Sequence, residues 1–136
     1  MEYELTSEIF EKKFGELELE VIFQDANARI VCFRIKSNGE ALEYSIVHFH
    51  KAGVEKFGEF HQKVVDGNSL GIVVRGSGIP HKRIETERML VSIPPEAVPI
   101  FKTDSSNCVS KKISYEILGE PYADITEFYN PKYVSI

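Results

Sequence analysis

Two charged residues stand where strand patterning predicts apolar neighbours, and together they could hold a small acid. In the run 29–36, Val31, Phe33 and Ile35 share one face and Arg29 has the same parity, whereas Arg34 and Lys36 fall on the other face. In the run 122–129, Ala123, Ile125 and Tyr129 share a face with Glu127 among them, and Asp124 and Thr126 point the opposite way. A guanidinium grips a carboxylate, and a carboxyl group in apolar surroundings can keep its proton and donate it. A lone charge on a covered face is costly, so each residue needs a partner, a ligand or a route to water. Parity alone leaves open that one or both are end-of-strand charges reaching solvent.

Other reactive residues form weaker patterns. His48 and His50 lie two apart on a strand and could chelate a metal, but no third ligand stands at a defined spacing, so His48, His50, His61 and His81 read as structural or surface residues. Gly76 and Gly78 resemble part of a phosphate-cradling loop without the rest of the pattern. Ser69, Ser105 and Ser106 belong to no nucleophile motif. Cys32 and Cys108 are far apart in sequence and lie in strand-like runs, as buried reduced thiols do; no Cys-x-x-Cys pair supports a zinc or redox site.

The elements that must position Arg29 and Glu127 follow from periodicity. Thr6 and Ser7 are N-cap candidates for a short helix with Ile9, Phe10 and Phe14 on one side, stopped by Gly15. Leu17, Leu19, Val21 and Phe23 alternate with polar residues as a half-buried strand. The runs 29–36 and 41–49 form a hairpin about Asn38 and Gly39. Residues 53–65 read as a helix burying Phe57 and Phe60, and Ser69 could cap a helical turn through residue 74. A strand over 83–93, a loop broken by Pro94, Pro95 and Pro99, and strands over 109–118 and 122–129 joined by Gly119-Glu120-Pro121 complete the chain. Short connections predict an α+β fold: a single antiparallel sheet with helices packed on one face, in one domain over residues 1–136.

Length and composition agree with that reading. A chain of 136 residues with 43% hydrophobic and 27% charged residues can bury its own core. The net charge of −5 argues against a nucleic-acid partner, and Glu85 and Glu87 interrupt the basic group Arg75, His81, Lys82, Arg83 and Arg88. The acidic start without a long apolar run predicts no secretory signal, no membrane span and a cytoplasmic setting. Oligomeric state is not legible.

The order of these segments resembles the chorismate lyase family. Leu5-Thr6-Ser7-Glu8-Ile9-Phe10-Glu11-Lys12-Lys13-Phe14-Gly15 followed by Leu19-Glu20-Val21 is similar to its opening helix and strand. Arg29-Ile30-Val31 with Asn38-Gly39-Glu40-Ala41 resembles its Arg-bearing strand and Asp-Gly-Glu-Pro hairpin, and Ser69-Leu70-Gly71 resembles its Pro-Leu-Gly step. Gly119-Glu120-Pro121 with Thr126-Glu127-Phe128-Tyr129-Asn130-Pro131 resembles its closing hairpin and Thr-Glu-Leu-Phe-x-Pro strand, the most specific of the pieces. The ligand-sensing UTRA domains of some transcription regulators share this fold. The chain departs from the lyase pattern in being shorter. Arg29 is displaced by two residues relative to its hairpin glycine, and Glu127 by one. An even displacement keeps the face of Arg29; the odd one at Glu127 requires a longer turn or a bulge.

The resemblance implies elimination of pyruvate from chorismate to give 4-hydroxybenzoate, a small carboxylated ring, with neither metal nor organic cofactor. It implies that Arg29 binds the ring carboxylate, that Glu127 acts at the departing ether oxygen, and that Arg88 offers a second carboxylate contact. The alternatives are a non-catalytic, UTRA-like domain that binds a small carboxylate and reports it to a partner, or a lyase of the same fold acting on another substrate. No helix-turn-helix pattern precedes the first helix, so the sensing alternative points to a binding protein rather than a self-contained regulator.

Overall fold

The computed structural model describes residues 3–135. Its centre is one seven-stranded antiparallel sheet with strand order β1-β2-β3-β7-β6-β4, and β5 lies beside β6 next to β4 on the same edge. The strands are β1 (Leu17–Gln24), β2 (Ala28–Ile35), β3 (Ala41–Phe49), β4 (His81–Glu85), β5 (Met89–Ser92), β6 (Asn107–Ile117) and β7 (Glu120–Tyr129). The fold class is therefore the expected α+β sheet. The helices are α1 (Thr6–Phe14), α2 (Lys51–Lys56), α3 (Gly58–Val65), α4 (Leu70–Gly76) and α5 (Val98–Phe101).

Local chemistry sets the turns. Gly39, with φ of 72°, turns β2 into β3, and the Asn38 side chain accepts from the Glu40 backbone N–H at 2.9 Å. β6 and β7 are joined by Leu118 and Gly119, both at positive φ (51° and 79°), as a two-residue hairpin turn of this handedness requires. The turn therefore comes one residue earlier than Gly119-Glu120-Pro121 suggested, and Glu120 and Pro121 already belong to β7. A bulge follows directly: Glu116 pairs with Pro121 and Tyr115 with Ala123, leaving Tyr122 as the extra residue. The bulge shifts the phase of β7 relative to the turn, and beyond it Ala123, Ile125 and Glu127 alternate onto one face, Glu127 opposite Lys111 of β6.

Several sequence expectations shift. The helix expected over 53–65 is two helices, broken at Phe57 before Gly58, a poor helix former. Phe60 is buried, and Phe57 is half-buried against the same cluster. Gly53 lies so close to β7 that a Cβ there would stand 2.4 Å from the Pro121 carbonyl oxygen, which fixes how α2 seats. The strand expected over 83–93 is two short strands, β4 and β5, separated where Thr86 bonds Lys112 through both its backbone N–H and its hydroxyl. The N-cap of α1 is Leu5 rather than Thr6 or Ser7: the Glu8 carboxylate accepts from the Leu5 N–H at 2.9 Å, which frees the Thr6 hydroxyl for another partner. β1 is an edge strand, and Val21 and Phe23, expected to be half-buried, are exposed along with the extra residue Ile22 of a second bulge.

The core lies on both faces. On one, α3 and α4 press Phe60, Val64, Leu70 and Val74 onto Val47, Ile113, Tyr115 and Ile125, while α1 buries Phe10 against Ile35, Val109 and Tyr129. On the reverse, the proline-rich segment forms α5, with Pro99 in its first turn, where a missing N–H costs nothing. Ala97 and Phe101 cover Cys32, Tyr44 and Cys108 there. Both cysteines are free and buried, and burial pushes the Cys32 thiol up to about 11. No helix among the described residues is long and apolar enough to cross a membrane.

Candidate functional site

The sheet face under α1 and α4 is a grid whose middle is polar. Cross-strand pairing sets one row as Phe33, Glu43 and Tyr129, the next as Val31, Ser45, Glu127 and Lys111, and the third as Arg29, Val47, Ile125 and Ile113. The apolar core under α1 and the core under α3 and α4 are thus separated by Glu43, Ser45, Glu127 and Arg29. A cavity occupies that gap. It has about 560 Å³ of empty space with its open mouth included. Leu5, Thr6 and Ser7 at the start of α1 and Ser69, Leu70 and Gly71 at the start of α4 roof it, and Leu19, Val31, Phe33, Val47, Ile113 and Ile125 give it apolar walls.

Arg29 and Glu127 both line this cavity and do not bond each other. Their positions differ by two strands across the sheet and two residues along it, which places their Cα atoms about 12 Å apart.

Arg29 is 1% exposed. Its Nη1 donates to the Asn68 carbonyl oxygen at 2.7 Å, while Nε and Nη2 are buried without a partner among the described residues. These two nitrogens form one edge of the guanidinium, a side-on fork whose parallel N–H groups match the two oxygens of a carboxylate or phosphate. Burial lowers the Arg29 pKa from its ordinary value, the Tyr122 hydroxyl being the opposing neighbour. A buried arginine with two orphaned donors is a costly arrangement unless an anion completes it.

At the other end, Glu127 is 7% exposed, and its Oε1 accepts from the Tyr129 hydroxyl at 2.5 Å and from the Thr6 hydroxyl at 3.1 Å. Burial raises its pKa from the ordinary carboxylate value against the pull of those hydroxyls, Arg83 and Lys111. Glu43, diagonal to it on β3 and 2% exposed, accepts from the Ser45 hydroxyl at 2.5 Å. Burial first, and then the nearby Glu127, push Glu43 well above the ordinary carboxylate value. The site therefore holds a buried carboxylate pair, where sequence parity pointed to Glu127 alone.

Arg88 does not reach the cavity; it lies exposed in the loop between β4 and β5. The second arginine lining the cavity is Arg83, which donates through Nε to the Tyr115 hydroxyl at 3.2 Å and through Nη1 to Glu85 at 2.5 Å. Arg34 faces away, pairing with Glu20 across β1. His48 is exposed, His50 pairs with Asp124 at 2.8 Å, His61 meets the Tyr122 hydroxyl at 2.7 Å, and His81 meets that of Tyr3 at 2.8 Å. Among the described residues no group of three or more His, Cys, Asp or Glu side chains is placed to hold a metal.

Comparison with solved structures places this arrangement in a known architecture. No family model matches the chain, and no curated protein matches it in sequence. The chain is similar to the structure of a GntR-family transcriptional regulator from Bacillus cereus, with TM-score 0.67 and 7% identity over 89% of this chain and 96% of that one. It is also similar to gene product SA0254 of Staphylococcus aureus, with TM-score 0.66 and 9% identity over 93% and 90% of the two chains. A third is the possible transcriptional regulator YydK of Bacillus subtilis, with TM-score 0.58 and 12% identity over 89% of this chain and 57% of that one. At these identities the likeness is one of fold. It supports the UTRA and chorismate-lyase-like architecture at a coarse level.

Proposed function

We propose that this chain is a non-catalytic binding domain for a small carboxylated molecule, of the kind that reports a ligand to a partner. The observation that carries the reading is Arg29: it lines a cavity with apolar walls and a few polar groups, and its Nε and Nη2 are buried and unpaired among the described residues. A pocket with apolar walls and a few convergent polar groups is the usual form of a small-molecule site. The structural likeness to GntR-family regulators supports sensing over chemistry.

Elimination of pyruvate from chorismate is the second reading, and one observation favours it. The Glu127 carboxyl, its pKa raised by burial, could hold a proton at the end of the cavity away from Arg29 and deliver it to a departing oxygen. Titration calorimetry with 4-hydroxybenzoate, run beside an ultraviolet assay for its release from chorismate, separates the two. Binding without turnover is the expected result. Turnover that falls about a hundredfold or more in Glu127→Gln would establish the lyase instead.

A further inference from the structure

The carboxylate end of the cavity is one positive charge short. Two cations and three carboxylates meet there. Arg83 and Lys111 both pair with Glu85, while Glu43 and Glu127 stand beside them without a cation of their own. Lys111 lies opposite Glu127 on β6, but its ammonium is taken by Glu85. The hydroxyls of Ser45, Thr6 and Tyr129 supply single hydrogen bonds to Glu43 Oε2 and Glu127 Oε1. Among the described residues no hydrogen bond reaches Glu43 Oε1 or Glu127 Oε2. Both side chains are more than nine-tenths buried and line the same cavity as Arg29. Two carboxylates in such a space cannot both stay ionised without a counter-charge: a proton serves when the cavity is empty, and a cation when it is filled.

We infer that the ligand is amphoteric, carrying an anionic group for the Arg29 fork and, about one ring length away, a protonated amine for Glu43 and Glu127. This rests on the reading of the cavity as a small-acid site and names the chemical class of its occupant. An ammonium offers three donors, enough to meet both free carboxylate oxygens and one hydroxyl oxygen together. A neutral hydroxyl at the same place offers one donor and leaves the charge deficit standing. An acid with a plain alkyl end would leave two buried carboxylates unsatisfied.

The test is titration calorimetry at pH 7 on the full chain with matched probes: 4-(aminomethyl)benzoate, 4-(hydroxymethyl)benzoate and 4-methylbenzoate, together with the flexible pair 6-aminohexanoate and hexanoate. The amine-bearing member of each set is expected to bind roughly tenfold tighter or more than its neutral counterparts, as a charge-assisted contact implies. In Glu43→Gln that preference should shrink. A hydroxymethyl, methyl or hexanoate probe that binds as tightly as its amine counterpart overturns the amphoteric ligand and leaves the acid-binding cavity intact. Failure of all five probes to bind overturns both. The wild-type series decides the question on its own if Glu43→Gln does not fold.

Discussion

Arg29→Met is expected to weaken binding of small carboxylates by about 1.5–3 kcal/mol, the range for hydrogen bonds to a charged group, while leaving the fold at least as stable as wild type. The two effects have one cause. Arg29 is buried with Nε and Nη2 unpaired, so the empty protein bears the cost of its charge and the anion repays it. Methionine has a similar length and no charge to desolvate, and it fills the space against Val31 and Val47. Among the described residues, the bond lost is that from Nη1 to the Asn68 carbonyl oxygen. Calorimetry with 4-hydroxybenzoate and a thermal melt of the ligand-free protein check the two halves. Unchanged affinity, or a melting temperature many degrees lower, would mean that Arg29 serves the fold rather than a ligand.

Glu43→Gln is expected to raise the melting temperature near pH 7 by several degrees and to flatten its pH dependence above the ordinary carboxylate value of 4.5. The sign follows from proton linkage. Glu43 in the folded protein holds its proton to a higher pH than in the unfolded chain, so folding takes up a proton. Stability from this group is complete below about pH 4.5 and falls as pH rises toward its raised value. The charged groups facing it are Glu127, its largest charged neighbour, and Lys111, which opposes the shift. Glu8 acts in the opposite direction. Its ion pair with Arg75 holds it down to about 2, so its stabilisation is present above about 4.5 and is lost as pH falls toward 2. The wild-type profile should therefore crest near the ordinary carboxylate range, and Glu43→Gln should keep the acid limb and descend less steeply on the neutral side, where burial still raises Glu127. Parallel wild-type and variant curves from melts between pH 3 and 8 would contradict a shared buried charge.

The cavity's two anchors were legible because strand parity exposes a misfit. Arg29 and Glu127 are charges in alternations whose other members are apolar, and the sheet keeps those alternations. Glu43 and Ser45 hid from the same logic. In β3 apolar residues stand at both parities, Leu42, Tyr44 and Ile46 at one and Ala41, Val47 and Phe49 at the other, so alternation does not say which face Glu43 and Ser45 take. The sheet is covered on both faces. Tyr44 and Ile46 pack under α5, a helical turn the prolines disguised, and Glu43 and Ser45 face the cavity.

Arg83 was missed for a different reason. In a run of Lys, Arg and Glu it reads as a solvated charge, yet its side chain is only 6% exposed, enclosed by Tyr115 and Glu85. Arg88 made the opposite error plausible, since an arginine after the middle turn fits the lyase resemblance while the break between β4 and β5 leaves it in solvent. The break depends on Thr86 bonding Lys112 across the edge, a long-range contact that periodicity does not reveal.

The central claim is that the Arg29 fork receives an anion inside this cavity, and a crystal structure of the protein soaked with 4-hydroxybenzoate tests it most directly. The account predicts the ring between Val31, Val47 and Ile125, with its two carboxylate oxygens about 2.7–2.9 Å from Arg29 Nε and Nη2 and its hydroxyl toward Glu43 and Glu127. A ligand bound elsewhere, or a cavity that stays unfilled at saturating 4-hydroxybenzoate with the Arg29 fork turned onto protein carbonyls, would contradict it.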